Sequence, residues 1–520
     1  MKTKKFFLGI VSLAALSLTA CSSDEVLDEP KGNPDNVGAY MTLQLVGPEG
    51  RTVTRTTSGE DKREEGTDVQ NKISNLKILL CDQMDHKVKA FYDVPASELL
   101  DIPGGVKTKQ LLTTTGTFDV YVIANPSTSL TVAKEDVLIN KTIDDVTEAF
   151  MKSDYAADNK FIMFNECNGT DKVAGSSITI SAANDFDNPA TCATINLDRL
   201  AVQIRSKVAN DVTITDITTA NTFVTAATLQ GYKLLNGATK VNLQQKWSKA
   251  TTEMGATYPW DNVLQTPSLS EGTNAGNVGY YNHLTDFRTV TIAGNAYTVV
   301  KDLYATINPY ESTAKGSIFC MENHPAGALM GNTTGLVYQF KATVTGSDNN
   351  AGTGCFYGYS NKYFASLADL QAAYPGVFAK ATITETDESK IPAAQLAAAE
   401  AELVAAYADA DKQQAISDFR VKYNVKVYTD GLMYYTYFIK DKNYQDTGIE
   451  KTDKRYYSVM RNTIYDLTVT KLNRIGTDIP GGWTPDVDEP TDPVDPTNVY
   501  MVVEAKVNDW VLSKEEIELK

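Results

Sequence analysis

The chain has 520 residues, of which 42% are hydrophobic and 22% charged. That is ordinary globular composition, with length for about two to four domains. A formal charge of −17 argues against a nucleic-acid partner, because phosphate binding needs a basic patch; a solvated acidic surface accounts for it. Tyrosine is abundant, with 27 residues, and threonine crowds the apolar stretches, so β-sheet is favoured over helix.

Lys2, Lys4 and Lys5 precede a short apolar core at residues 6–16, too short to span a bilayer, so residues 1–20 read as a signal peptide. Leu18-Thr19-Ala20-Cys21 matches a bacterial lipobox, which makes Cys21 the lipidation site. Several acyl chains anchor stably, since each buried CH₂ contributes about 0.8 kcal/mol. Ser22-Ser23-Asp24-Glu25 resembles an acidic surface-export signal of Bacteroidetes lipoproteins.

Residues 29–37 carry Pro, Gly, Asn and Asp and read as a tether. Residues 40–46 alternate, with Met41, Leu43 and Leu45 on one face of a half-buried strand. Gly47-Pro48 ends it. Residues 50–69 are polar, hold Arg51, Arg55 and Arg63, and read as an exposed loop open to proteolysis. Strands are expected at 73–80, 87–92, 107–115, 118–124, 161–164, 178–180 and 193–204, and a helix at 143–151. Short strands with turn residues between them predict an all-β sandwich.

The second half begins with strands at 212–228 and 238–243. A polar region follows to about residue 294, then core strands at 297–307, 317–321 and 336–345. Residues 367–374 and the Ala-rich 393–407, extended toward 423, read as helices, because Ala favours helix intrinsically. They form a helical insertion, about 364–420, on a second sandwich. Strands return at 434–439 and 461–472. The acidic Pro-rich stretch to residue 497 reads as an extended linker. The tail alternates again, through Val499, Met501, Val503 and Val507 to Trp510, and later Ile517 and Leu519. A strand-forming tail on a linker has no evident local partner and is an edge-pairing hazard unless another chain receives it.

The pattern holds no catalytic or metal-binding constellation. His86, His283 and His324 are far apart and lack metal-ligand spacing. There is no nucleophile elbow and no P-loop. Cys320 and His324 read as loop residues after a core strand, in preference to a catalytic pair. Asp144 and Asp145 are ordinary in so acidic a chain. Setting Cys21 aside leaves Cys81, Cys167, Cys192, Cys320 and Cys355, an odd number for a full disulfide framework. One or two bridges fit an exported protein, Cys167 and Cys192 being nearest in sequence; buried free thiols fit at least equally.

Several stretches resemble the type V pilins of the Bacteroidales, the FimA/Mfa superfamily, and within it the Mfa-like major subunit of the short fimbria. They are the lipobox, Tyr121-Val122-Ile123-Ala124-Asn125, Leu197-Asp198-Arg199-Leu200-Ala201 and Glu322-Asn323-His324. Most specific is Val459-Met460-Arg461-Asn462-Thr463-Ile464-Tyr465-Asp466-Leu467, followed by the Asp/Pro linker and Val507-Asn508-Asp509-Trp510. Residues 229–295 and 364–418 show no such match.

The resemblance implies two tandem transthyretin-like β-sandwiches in a fimbrial shaft subunit, with no cofactor. It implies a lipoprotein precursor that crosses the periplasm to the outer membrane. An Arg-specific protease would cut it after Arg51, with Arg55 next and Arg63 third. The implied partition is a signal at 1–20, a lipidated leader at 21–51, sandwiches at 52–193 and 194–480, a linker at 481–497 and a donor-strand tail at 498–520. Partners would be further copies of the chain, tip and anchor subunits, and host or bacterial surface receptors, in the service of adhesion and biofilm formation. A surface glycan-binding lipoprotein, or a fimbrial tip or anchor component, remains the alternative.

Overall fold

The computed structural model describes residues 38–47, 63–126, 130–137, 142–144, 161–166, 176–214, 223–235, 237–238, 240–249, 262–265, 280–281, 287–292, 295–300, 318–325, 333–440, 454–478 and 501–511. Cys21, Arg51, Arg55, Cys167, His283, Val499, Ile517, Leu519 and the linker lie outside them.

The chain is all-β with a helical insertion. Its first half folds around one apolar core. One sheet runs through Val88–Pro95, Asn75–Asp82, Gly116–Ala124, Met163–Asn165, Ile195–Arg199, Gln44–Val46, Gly105–Thr108 and Leu99–Ile102, with Ser176–Ile180 also paired to Gly116–Ala124. Facing it is a three-stranded sheet of Ala190–Thr191, Ala39–Thr42 and Leu111–Thr113. Strands such as Asn75–Asp82 bury Leu76, Ile78, Leu79, Leu80 and Cys81, a near-continuous apolar run suited to the middle of a sheet.

The second half is a two-sheet sandwich. A five-stranded sheet orders Ile318–Met321, Ala201–Ile214, Thr463–Leu472, Met501–Val511 and Arg63–Glu65. A three-stranded sheet orders Val224–Leu235, Gly335–Val344 and Leu432–Phe438. Between them pack Ile204, Tyr232, Tyr338, Phe340, Tyr465 and Leu467, all buried. Tyr338 and Tyr232 keep their hydroxyls satisfied at Ser206, by Oγ at 2.8 Å and by the backbone N–H at 3.2 Å.

The expected single strand at 193–204 is two, Ile195–Arg199 and Ala201–Ile214. The break at Leu200 carries the chain from the first group of sheets to the second. The expected helix at 143–151 does not begin as one: Thr142–Asp144 is a strand paired with Lys240–Asn242, and residues 145–151 lie outside the description. A long-range partner overrides local helix preference there. The polar region before residue 294 also holds strands, among them Phe287–Ile292, which pairs with Asn295–Val300.

The helical insertion interrupts a hairpin. Gly335–Val344 and Leu432–Phe438 are antiparallel neighbours, and the chain between them makes an excursion with its own apolar core. Its helices are Leu367–Ala373, Ile391–Ala408 and Lys412–Tyr423, so the Ala-rich stretch breaks after Ala408 and restarts. Ser366 caps the first by accepting from the Asp369 N–H, and Asp411 caps the third by accepting from Gln414. Ala399, Leu403, Ile416 and Phe419 form the buried contact between the two longer helices.

Candidate functional site: the leader groove, the tail strand and the polar seam

The leader segment is seated deeper than a half-buried strand. Ala39, Met41 and Leu45 are 0% exposed and Leu43 is 1% exposed. It is also two strands instead of one. Ala39–Thr42 lies between Ala190–Thr191, in parallel, and Leu111–Thr113, antiparallel. Gln44–Val46 lies between Ile195–Arg199, in parallel, and Gly105–Thr108, antiparallel. At Leu43 the segment steps from one sheet to the other. There the Leu43 N–H donates to Thr108 Oγ1 at 3.0 Å, and the Thr42 hydroxyl donates to the Thr108 carbonyl at 2.7 Å. Each buried apolar side chain contributes on the order of 1.5–3 kcal/mol.

Sequence reading missed the glycine that makes room for this segment. At Gly105 a Cβ would stand 1.9 Å from the Leu45 carbonyl oxygen, so any side chain would push the leader away. The Gly104-Gly105 pair after Pro103 marks a turn; only the sheet reveals what the second glycine admits.

The tail corrects an expectation. Met501–Val511 does have a partner within its own chain: it pairs antiparallel with Thr463–Leu472. Met501 is buried and Val503 packs against the second core, while Val507 stands opposite Tyr465 in the ladder. Two matched period-two strands suffice to form this ladder. The outer edge of the tail is covered by Arg63–Glu65 in parallel, Trp510 standing opposite Glu64. Arg205 holds that edge, donating to both Glu64 oxygens at 2.5 and 2.6 Å and to Asp466 at 3.0 Å. Leader and tail therefore occupy different sandwiches.

Three of the remaining motifs, at residues 197–201, 322–324 and 459–467, converge where the sandwiches meet. Fully buried Arg199 donates to the Asn462 side chain at 3.2 Å and to the Gln70 carbonyl at 3.2 Å. Burial pulls its guanidinium down to about 9, and Asp198 acts in the opposite sense. Arg461 pairs with Glu322 and donates to the Leu243 carbonyl at 2.9 Å, while Gln245 donates to the second Glu322 oxygen at 2.8 Å. The backbones of Asn323 and Val459 bond reciprocally at 2.9 and 2.8 Å. Asn462 takes φ 54, a conformation asparagine tolerates, and its N–H reaches the Ala201 carbonyl at 2.9 Å. The motifs form a structural joint.

His324 bonds Ser458 through Nδ1 at 2.7 Å, and burial pushes the Cys320 thiol far up, opposite to what a nucleophile needs. Cys81, Cys192 and Cys355 are also free thiols. Among the described residues no group of three His, Cys, Asp or Glu could hold a metal ion, and no helix is long and apolar enough to cross a membrane.

Two family models match the chain. Residues 39–263 match the major fimbrial subunit protein (FimA), and residues 426–516 match the C-terminal part of the type IV major fimbrial subunit protein, fimbrillin. Together they take in the leader strand, the tail strand, and Arg199, Arg461 and Asn462 of the seam, while Glu322, Asn323 and His324 lie between them. The fold and these matches define a fimbrial structural protein. Both models describe a major fimbrial subunit, and the chain is a FimA-like fimbrial subunit. No curated protein matches it in sequence.

Among solved structures it is similar to a fimbrilin from Porphyromonas gingivalis W83, at 13% identity and TM-score 0.42, over 92% of this chain and 99% of that one. It is similar to a putative cell adhesion protein from Parabacteroides distasonis ATCC 8503, at 13% identity and TM-score 0.42, over 91% and 99%. It is also similar to the tip fimbrial protein Mfa3 from Porphyromonas gingivalis, at 11% identity and TM-score 0.36, over 91% and 99%.

Proposed function

We propose that the chain is a polymerising shaft subunit, exported as a lipoprotein through Cys21, cut after Arg51, with Arg55 as the second candidate, and assembled by donor-strand exchange. The observation that carries this is the seating of the leader. It is a central strand in both sheets it enters, so its loss uncovers two rows of backbone groups and a groove lined by apolar side chains. An extended segment of alternating pattern from another copy restores both, which is strand addition. The tail carries that pattern, and to be donated it, or its continuation beyond Val511, leaves or extends from Thr463–Leu472.

The lipid departs with the leader, which frees the subunit to join a surface fimbria. Tip and anchor subunits would be its accessory partners, and an Arg-specific protease its activator. Adhesion to host or bacterial receptors and biofilm formation follow from display on the shaft. We place the boundary between the two sandwich domains at Leu200, where the sheets part, in preference to residue 193.

The test is to treat purified precursor with an Arg-specific protease and look for SDS-resistant ladders. Ladders are expected from the full chain and none after deletion of residues 498–520. Ladders that survive the deletion, or never form, overturn the proposal. The amino-terminal sequence of the product checks the cut: a start at Thr52 supports Arg51 and a start at Thr56 moves it to Arg55.

A further inference from the structure

The helical insertion lies between the two family models up to Val425, with a core of its own. Where its hairpin Phe356–Tyr359/Lys362–Phe364 faces the end of helix Lys412–Tyr423, there is a solvent-open cavity of about 170 Å³. Lys362, Arg420 and Lys426 line it, and no carboxylate does. In a chain of net charge −17 that is a local reversal of sign. Asp478 sits 2.8 Å from Arg420 Nε and offsets one of the three charges, leaving the two lysines. Tyr359 and Tyr363 also line it.

Three positions around the cavity have left-handed backbone. Ser360 and Asn361 make the hairpin turn at φ 49 and 60, and Asn424 ends the helix at φ 53. Asparagine is accepted readily at a two-residue hairpin turn and at a left-handed helix C-cap, as glycine is. Each of the three positions carries a polar side chain at the cavity, and the Asn361 and Asn424 amides have no partner within the chain among the described residues. Gly358 lies beneath Lys426, where a Cβ would be crowded at 3.2 Å from the lysine Cβ.

We propose that this cavity binds the acidic end of a saccharide, a sugar ring bearing a carboxylate or a sulfate. The lysines meet the anion, a tyrosine face meets the ring, and the asparagine amides meet hydroxyls. Inorganic phosphate would engage the cations and leave the tyrosines and asparagines idle. The cavity is smaller than the roughly 300–1,000 Å³ that encloses a drug-sized ligand, which fits one terminal ring. This binding is separate from polymerisation and is measured on uncut precursor, so neither result depends on the other.

The experiment titrates the full-length protein with sialyllactose, with a sulfated disaccharide and with lactose, followed by calorimetry. At least one acidic sugar is expected to bind and lactose is not; which anion responds identifies the source. Lys426→Glu and Asn361→Gly are each expected to weaken binding at least tenfold. Asn361→Gly should leave the melting temperature little changed, since glycine also fits the left-handed turn position. Lack of binding by either acidic sugar at millimolar concentration, equal binding of lactose, equal competition by inorganic phosphate, or affinity indifferent to both substitutions would overturn the proposal.

Discussion

At Gly105 the leader backbone comes so close that a single methyl group has nowhere to go, because the nearest atoms belong to the Leu45 carbonyl and the Val46 Cα. Backbone cannot rotate aside as a long side chain can. Gly105→Ala is therefore expected to unseat Gln44–Val46 and destabilise the precursor by about 1–3 kcal/mol, the usual cost of overpacking. A thermal melt checks this, and an unchanged midpoint would mean the groove is looser than the geometry says. The alternation of Met41, Leu43 and Leu45 was legible from sequence because period two survives any choice of partner. The step at Leu43 was not, because it depends on Thr108, 65 residues away in the chain.

Among the elements, the helical insertion was the most legible, since an Ala-rich run favours helix whatever surrounds it. Its break after Ala408 follows from Asp409 to Asp411, where polar residues end one helix and cap the next. Strand Thr142–Asp144 was illegible because only its pairing with Lys240–Asn242 makes it a strand. The tail's ladder with Thr463–Leu472 was missed for the same reason: sequence gives periodicity and not address. The insertion joins two adjacent antiparallel strands and buries its own core, so it should be dispensable to the sandwich. Replacing residues 346–430 with a short turn is expected to abolish most helical circular dichroism while a cooperative melt persists. Loss of the melt would show that the sandwich needs the insertion's packing, including the ion pair of Arg420 with Asp478.

For the whole molecule, the seam decides whether the sandwiches behave as one body. The first core already includes Phe319, Met321 and Ile464 from second-half strands. At the seam, Glu322 and Arg461 are 0% and 1% exposed. Removing one charge leaves the other buried without compensation, which costs about 3–5 kcal/mol, whereas replacing both with apolar residues is often neutral. Glu322→Gln should thus lower the urea midpoint strongly, and Glu322→Met with Arg461→Met should recover most of it. A loss under about 1 kcal/mol from the single change would show that the pair is not what joins the halves. The motif residues stood out in the sequence as a resemblance; that they meet at one joint became visible only in three dimensions.

The leader's seat has a mechanical consequence. A strand lying there is gripped along both edges, in two sheets, with a step at Leu43 between them. Pulled along its length, it cannot peel away one hydrogen bond at a time; the rows on either side must slip together, and the step must be dragged past Thr108. Rupture under load is set by the rate of that concerted slip and not by equilibrium stability. Whatever strand holds this seat is thus gripped in shear, the geometry suited to a fibre that carries tension.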